Sequence, residues 1–501
     1  MDDVPADGAA GVIAPTHDDP FVRGGSAAFG GPLGRHARTG WSWWTPLRVL
    51  IALALASSVL GYAQKYPCRN QTWSGGFQYS HACYNDIYPL YFGEGLSDHK
   101  IPYIDAHAAN QQETDGQAPL SGEVEYPVII GAAMELGSLG TRFLYPSNER
   151  GQGFVDLTWL MLTIAAVVAV IATALTNRRR IWDAAMLAAA PSLILAGLIN
   201  WDLLAVAMTS LGILAWSRKR NFLAGALLGL AVATKFYPVV LFLPLLLLCW
   251  RARQLKAFWT AVGGAALAWA VVDVPLAITR SEGWFRFYYF SRTRGADWGS
   301  IWYVFSRRQS ITIAHHWIHW FGWNYTTNQL NLYEAGAIAI AFLGVCWLAV
   351  AARRRPRLPQ LCFLTLAVFL LLNKVYSPQY VLWLLPLAVL ARPRWRAFIV
   401  WQAAEIIYFL GIWMYLLGDP SGRTGKGLEY GPYAVSLAIR DVAVLGLCAL
   451  IVRDILRPDL DIVRADGSDD PAGGVLDGAP DIFDGRTEPD ADLYDAEVVP
   501  V

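Results

Sequence analysis

The 501-residue chain is 55% hydrophobic and only 16% charged, and its 40 basic and 40 acidic residues balance to zero. Soluble domains carry about 25% charged residues. Apolar runs of about 20 residues, enough to cross a ~30 Å hydrocarbon layer, recur here. A soluble fold is therefore excluded, and no feature marks a nucleic-acid binder. The expectation is an all-α polytopic membrane protein of about 12 transmembrane helices.

Residues 1–44 are rich in Gly, Ala, Asp and Pro and lack a secretory leader pattern. They read as a disordered cytoplasmic arm. A transmembrane domain follows over 45–457, opening with a span at 46–63. The first extracytoplasmic loop covers 64–153 and holds Cys68 and Cys83, while Cys249, Cys346, Cys362 and Cys448 lie in or beside spans. An extracytoplasmic loop permits a Cys68–Cys83 disulfide.

Within that loop, 126–144 is apolar enough to pass for a span, and charge decides the question. Lys and Arg gather on cytoplasmic loops. Were 126–144 to cross, the later basic clusters (Arg178–Arg180, Arg218–Arg220, Arg251 to Lys256, Arg353–Arg357, Arg392–Arg396) would all fall outside. Glu135 and Arg142 also oppose a crossing, because ionisable groups are costly in hydrocarbon. The segment reads as an interfacial helix. The remaining spans are then 154–176, 182–199, 201–216, 221–235, 237–250, 257–278, 333–352, 358–373, 378–392, 396–417 and 432–452. With 46–63 they place both termini in the cytoplasm of a multi-pass plasma-membrane protein. A second large outer loop, 280–332, interleaves aromatics with Arg286, Arg292 and Arg294 and reads as interfacial helices against lipid. Residues 458–501 are acidic and poor in apolar side chains, and read as a disordered cytoplasmic tail.

In this orientation three tight outer hairpins carry unusual polarity: Asn200-Trp201-Asp202, Lys235-Phe236-Tyr237-Pro238, and Asn373-Lys374 through Ser377-Pro378-Gln379-Tyr380. Lys235 and Lys374 stand on the side that positive charge avoids. An anionic phosphate at the outer headgroup level would repay that placement, with Lys as point charge and Arg294 as a fork-shaped partner. The plainer alternative is snorkelling to lipid phosphates.

Asp86, in Tyr84-Asn85-Asp86-Ile87-Tyr88-Pro89, is the preferred general base, drawing a proton from an attacking hydroxyl. The plainer alternative is a cap on the following helix. Glu94, Asp98, Asp105, Glu123 and Glu125 are rivals, Asp105 and Glu125 the serious ones. His315, His316 and His319 lack an acidic or Cys partner at ligand spacing, so no metal and no cofactor is expected, although His316 is placed among the substrate contacts. Glu405, inside a span, is a further candidate whose simpler role is pairing with a polar neighbour. No nucleotide-binding loop motif occurs in a suitable context.

Together, Tyr84–Tyr91, Glu125–Val128, Asn200–Leu203, Lys235–Pro238, Arg294–Trp302 and Asn373–Tyr380 resemble the polyprenyl-phosphate-mannose-dependent mannosyltransferases of glycosyltransferase family 87, in the GT-C superfamily. The resemblance runs from about residue 45 to 400. It implies a GT-C-like bundle with an extracytoplasmic active site. The donor it implies is a polyprenyl-phosphate sugar, commonly mannose, passed to a cell-envelope glycolipid or glycan. The family's catalytic Asp in the first outer loop matches Asp86. Substrate contacts are then expected from Lys235, Lys374, Arg294, Asp297, Asn200, Asp202, Tyr237, Gln379, Glu125 and His316. The expected partners are donor, acceptor and membrane lipids. The competing reading is a lipid-linked-sugar flippase or transporter without catalysis.

Overall fold

A computed structural model describes residues 12–13, 19–30, 43–69, 73–105, 124–306, 310–313, 316–319, 323–418 and 426–483. Within them the chain is almost entirely helical. Six helices are long and apolar enough to cross a membrane: Pro46–Arg69, Arg150–Thr176, Leu255–Thr279, Thr327–Ala351, Trp395–Leu417 and Tyr430–Leu456. Five shorter apolar helical segments pack among them, namely Asp202–Ser217, Asn221–Thr234, Tyr237–Arg251, Leu358–Leu372 and Pro378–Ala391. Each is below the ~20 residues of a standard crossing. Residues 182–199, read as one span, are instead short turns, with helices at Ala185–Ala188 and Pro191–Ala196. Pro191 stands at the start of the second, where its missing N–H costs nothing.

Glycine sets the closest helix approach. Gly225 and Gly229, four apart on Asn221–Thr234, lie against the backbone of Leu255–Thr279, where a Cβ would strike the Ala261 and Ala265 carbonyl oxygens. Small residues at such spacing let membrane helices pack backbone to backbone.

The helix Val128–Leu144 buries Ile130, Met134 and Thr141 while Leu136, Phe143 and Leu144 are exposed. Its ionisable pair, Glu135 and Arg142, sits 3.7 Å apart, so neither charge stands alone. In the second large loop, Ser281–Thr293 and Ile301–Ser306 are helices. Ser310–Ile313 and His316–His319, however, form an antiparallel hairpin rather than interfacial helix. The β-branched residues in Ser310-Ile311-Thr312-Ile313 favour an extended backbone.

Both terminal segments carry structure that their composition does not suggest. Pro20–Gly30 is a helix, and the Asp19 carboxylate at its start accepts hydrogen bonds from Phe21 N at 2.9 Å and, across the fold, from Trp395 N at 3.1 Å. Residues 458–483 form a strap over the end of the bundle that carries the basic turns. Arg357 donates two bonds to Asp461, at 2.7 and 3.0 Å. Arg355 meets Asp469 at 3.0 Å, and Arg251 meets Asp481 at 2.7 Å. The backbone N–H of Leu358 donates to Asp470 at 2.7 Å, and Trp216 Nε1 donates to the Gly473 carbonyl at 2.7 Å. The acids that suggest disorder are the counter-charges of buried arginines.

Candidate active site

At the opposite end of the bundle lies a cavity of about 830 Å³ whose lining includes Asp86, Glu125, Asn200, Lys235, Tyr237, Arg294, Asp297, Lys374 and Gln379. Residues from six separated stretches of chain thus face one space. Asp202 is fully buried behind this wall rather than in it. The side chain of His316 lies outside the described residues.

The loop bearing Asp86 is anchored from several directions. Cys68 and Cys83 form a disulfide that ties it to the end of Pro46–Arg69. Trp73 Nε1 donates to the Cys83 carbonyl at 3.0 Å, and the buried Lys65 ammonium donates to the Tyr84 carbonyl at 2.8 Å. The Asp86 N–H then donates to the Ile199 carbonyl at 2.8 Å, pinning this loop to the first polar hairpin. Asn85, not Asp86, caps the next helix, its Oδ1 accepting from Tyr88 N at 3.0 Å. The carboxylate of Asp86 is thereby free of the capping role.

Its oxygens are held from two sides. Oδ1 accepts from the Tyr84 hydroxyl at 2.6 Å, and Oδ2 accepts from Asn200 Nδ2 at 2.9 Å. That same amide also donates to the Tyr126 hydroxyl at 2.9 Å. Burial pushes the Asp86 carboxyl above its ordinary value, while the Tyr84 and Asn200 hydrogen bonds and the Lys235 charge pull it back. The result is a carboxylate more basic than usual, facing a cavity. Of its rivals, Glu125 shares the lining, whereas Asp105 accepts from Ile101 N at 2.8 Å in a local turn. Glu123 falls outside the described residues.

Lys235 is not unpartnered. Its ammonium lies 3.5 Å from Asp202 and beside the rings of Tyr126 and Tyr380, at 5.1 and 5.8 Å from their centroids. Asp202 accepts from Trp383 Nε1 at 2.7 Å, and Trp383 stacks between Tyr237 and Tyr380, with centroid distances of 4.3 and 3.8 Å. Asp202 therefore lies behind Lys235 as its counter-charge, outside the cavity lining.

Across the cavity the Lys374 ammonium donates to Asn331 Oδ1 at 2.5 Å, while the Lys374 N–H donates to Glu334 at 2.9 Å. Burial pulls the Lys374 ammonium below its ordinary value; Glu334 opposes this and the nearby Arg294 guanidinium adds to it. Arg294 is 3.7 Å from Asp297, whose own N–H donates to the Lys374 carbonyl at 2.8 Å. The cavity wall thus sets two mutually repelling cations, Lys374 and Arg294, beside the carboxylates of Glu334 and Asp297.

Sequence reasoning missed the residue that joins these segments. Arg440, fully buried in Tyr430–Leu456, donates to the Gly299 carbonyl at 2.7 Å and the Tyr376 carbonyl at 3.4 Å. Its guanidinium lies between the Tyr376 and Tyr408 rings, at 3.8 and 4.0 Å from their centroids. Gly299 has no room for more, since a Cβ there would run into the Tyr376 carbonyl oxygen. Arg440 thus locks the Arg294–Asp297 loop to the Lys374 hairpin. The rule that an ionisable residue inside a span is functional by default would have found it. Glu405, which that rule did single out, accepts from Trp401 Nε1 at 2.9 Å.

Fold and cavity together define a polytopic membrane protein whose polar pocket combines a basic carboxylate with clustered cations. A family model described as Glycosyltransferase family 87 matches residues 152–373, and this match indicates a glycosyltransferase. The matched segment contains Asn200, Lys235, Arg294 and Asp297, and stops short of Asp86 on one side and Lys374 on the other. No curated protein matches the chain.

Proposed function

We propose that the protein is an inverting, GT-C-type glycosyltransferase that moves a hexose, specifically mannose, from a polyprenyl-phosphate donor to a cell-envelope glycolipid or glycan on the extracytoplasmic side of the plasma membrane. The observation that supports this most is that Asp86 shares one cavity with Lys235, Arg294 and Lys374. The donor phosphate sits among the three cations. Asp86 removes the proton from the acceptor hydroxyl as its oxygen bonds to the anomeric carbon from the face opposite the departing phosphate. The glycosidic C–O bond to phosphate breaks with its electron pair left on the phosphate oxygen. The cations stabilise that developing charge, the usual largest source of catalysis in such sites. The aromatic stacks of Tyr84 on Trp413, at 4.5 Å, and Tyr380 on Trp383 offer flat apolar surfaces for sugar rings.

The test is to incubate purified protein with radiolabelled polyprenyl-phosphate-mannose and envelope lipids. A labelled lipid or glycan is expected, with a Lys235→Met, Lys374→Met double variant needing at least tenfold more donor, since one hydrogen bond to a charged group contributes about 1.5–3 kcal/mol. Movement of the labelled donor across liposomes with no transfer product would overturn the reading in favour of a transporter.

A further inference from the structure

A second groove lies at the basic end of the bundle, between Trp395–Leu417 and Tyr430–Leu456, away from the candidate active site. Its volume is about 1550 Å³. Its walls are apolar and small-residue-rich, with Ala404, Val400, Ala443 and Gly446 along them, and Arg392, Arg394, Arg396 and Arg453 at one end. The lining runs from Arg453 to Val435 along one helix, which at ~1.5 Å per residue is about 27 Å. An acyl chain anchored at the arginines would fit within it.

The charged end is built for an anion. The four arginines meet two carboxylates: Asp19 in the lining, which already accepts from Phe21 N and Trp395 N, and Asp454 behind it, which pairs with Arg392 and Arg453 at 2.9 Å each, so the end keeps a net positive charge. Arg392 donates through Nε to Asp454 at 2.9 Å, yet its Nη1 is buried with no hydrogen-bond partner, on a side chain only 9% exposed. Buried donors are normally satisfied, and a headgroup phosphate oxygen would satisfy this one. Arg396 is exposed and makes no ion pair among the described residues. Basic pockets between membrane helices at the headgroup level suit acidic phospholipids.

We infer that this groove binds a single anionic phospholipid, its phosphate at Arg392 and Arg396 and one acyl chain along Gly446. Gly446 gives a clean probe, because a Cβ there meets nothing within 4 Å. Leucine at this position fills the groove and is a better helix former than glycine.

The experiment measures the thermal midpoint of the purified full-length protein in neutral detergent, titrated with phosphatidylglycerol or phosphatidylcholine, and counts bound lipids by native mass spectrometry. A saturable upward shift and one retained lipid are expected with phosphatidylglycerol alone. Arg396→Glu should weaken phosphatidylglycerol at least roughly tenfold, and Gly446→Leu should abolish both signals while leaving the lipid-free midpoint and transferase activity unchanged. Equal shifts with both lipids, or a phosphatidylglycerol signal untouched by both variants, would overturn the inference. So would a dimer of this chain that Gly446→Leu dissociates, since a second copy would then cover the groove. None of these readouts depends on the reaction proposed above.

Discussion

The Asn200 side-chain amide donates to Asp86 Oδ2 at 2.9 Å, joining residues 114 apart in sequence. This bond ties the carboxylate of the first outer loop to the first polar hairpin, and it favours the ionised acid. Replacing Asn200 with Ala removes the anchor without removing the base. Misplacement of a catalytic group by about 1 Å can cost ~100-fold. For Asn200→Ala a fall in kcat of roughly 10–100-fold is expected, with donor binding, measured by equilibrium titration, close to wild type.

The pH dependence of kcat/KM should carry the same signature. Asp86 works as a base only when ionised, and burial raises its folded-state value above the ordinary ~3.9. Activity is therefore present above this raised value and is lost as pH falls through it. Tyr84→Phe and Asn200→Ala each remove a hydrogen bond to the charged form, so in both variants the acid limb should move to higher pH. An acid limb that stays put in both would point to another group.

Arg440 makes a different test, because it acts through the backbone of two loops. Arg440→Lys keeps the charge but cannot span Gly299 O and Tyr376 O while lying flat between two rings. Transfer is expected to drop at least tenfold with the protein still folded. Arg440→Leu leaves Asp441 without its 2.8 Å partner and is expected to lower stability by about 3 kcal/mol as well. Circular dichroism melts and the transfer assay separate the two effects.

The strap over the basic end yields a prediction about stability alone. Arg357 and Asp461 are 1% and 2% exposed at their side chains. Removing one partner of a buried pair strands the other, at a cost of about 3–5 kcal/mol. Asp461→Asn should lower the midpoint of thermal unfolding, and deletion of residues 458–483 should lower it further by also stranding Arg251 and Arg355. The Arg357→Met, Asp461→Leu pair should recover much of the single-variant loss.

Much of the site was legible because polarity stands out in an apolar chain. Asn200, Lys235 and Asn373-Lys374 sit in tight turns between hydrophobic runs, and the structure brings all three turns to one cavity. The division of labour within the turns was not legible. Asp202 and Asp86 look alike as isolated carboxylates, and only packing puts one behind Lys235 and the other in the cavity wall. The strap was hidden for a related reason. An acid-rich, apolar-poor segment reads as disorder when its partners are out of view, and Arg357 lies 104 residues from Asp461. Continuity was not legible either, since 182–199 is apolar enough to read as one helix yet forms short helices and turns beside Pro191.

The most direct measurement of the central claim compares wild type with Asp86→Asn, which keeps the shape and one accepting oxygen but replaces the other with an amide nitrogen that cannot take up a proton. Transfer from labelled donor should fall by at least about 100-fold, the lower range for losing a general base. Donor affinity and the thermal midpoint should stay within error of wild type. Undiminished transfer by Asp86→Asn would contradict the account.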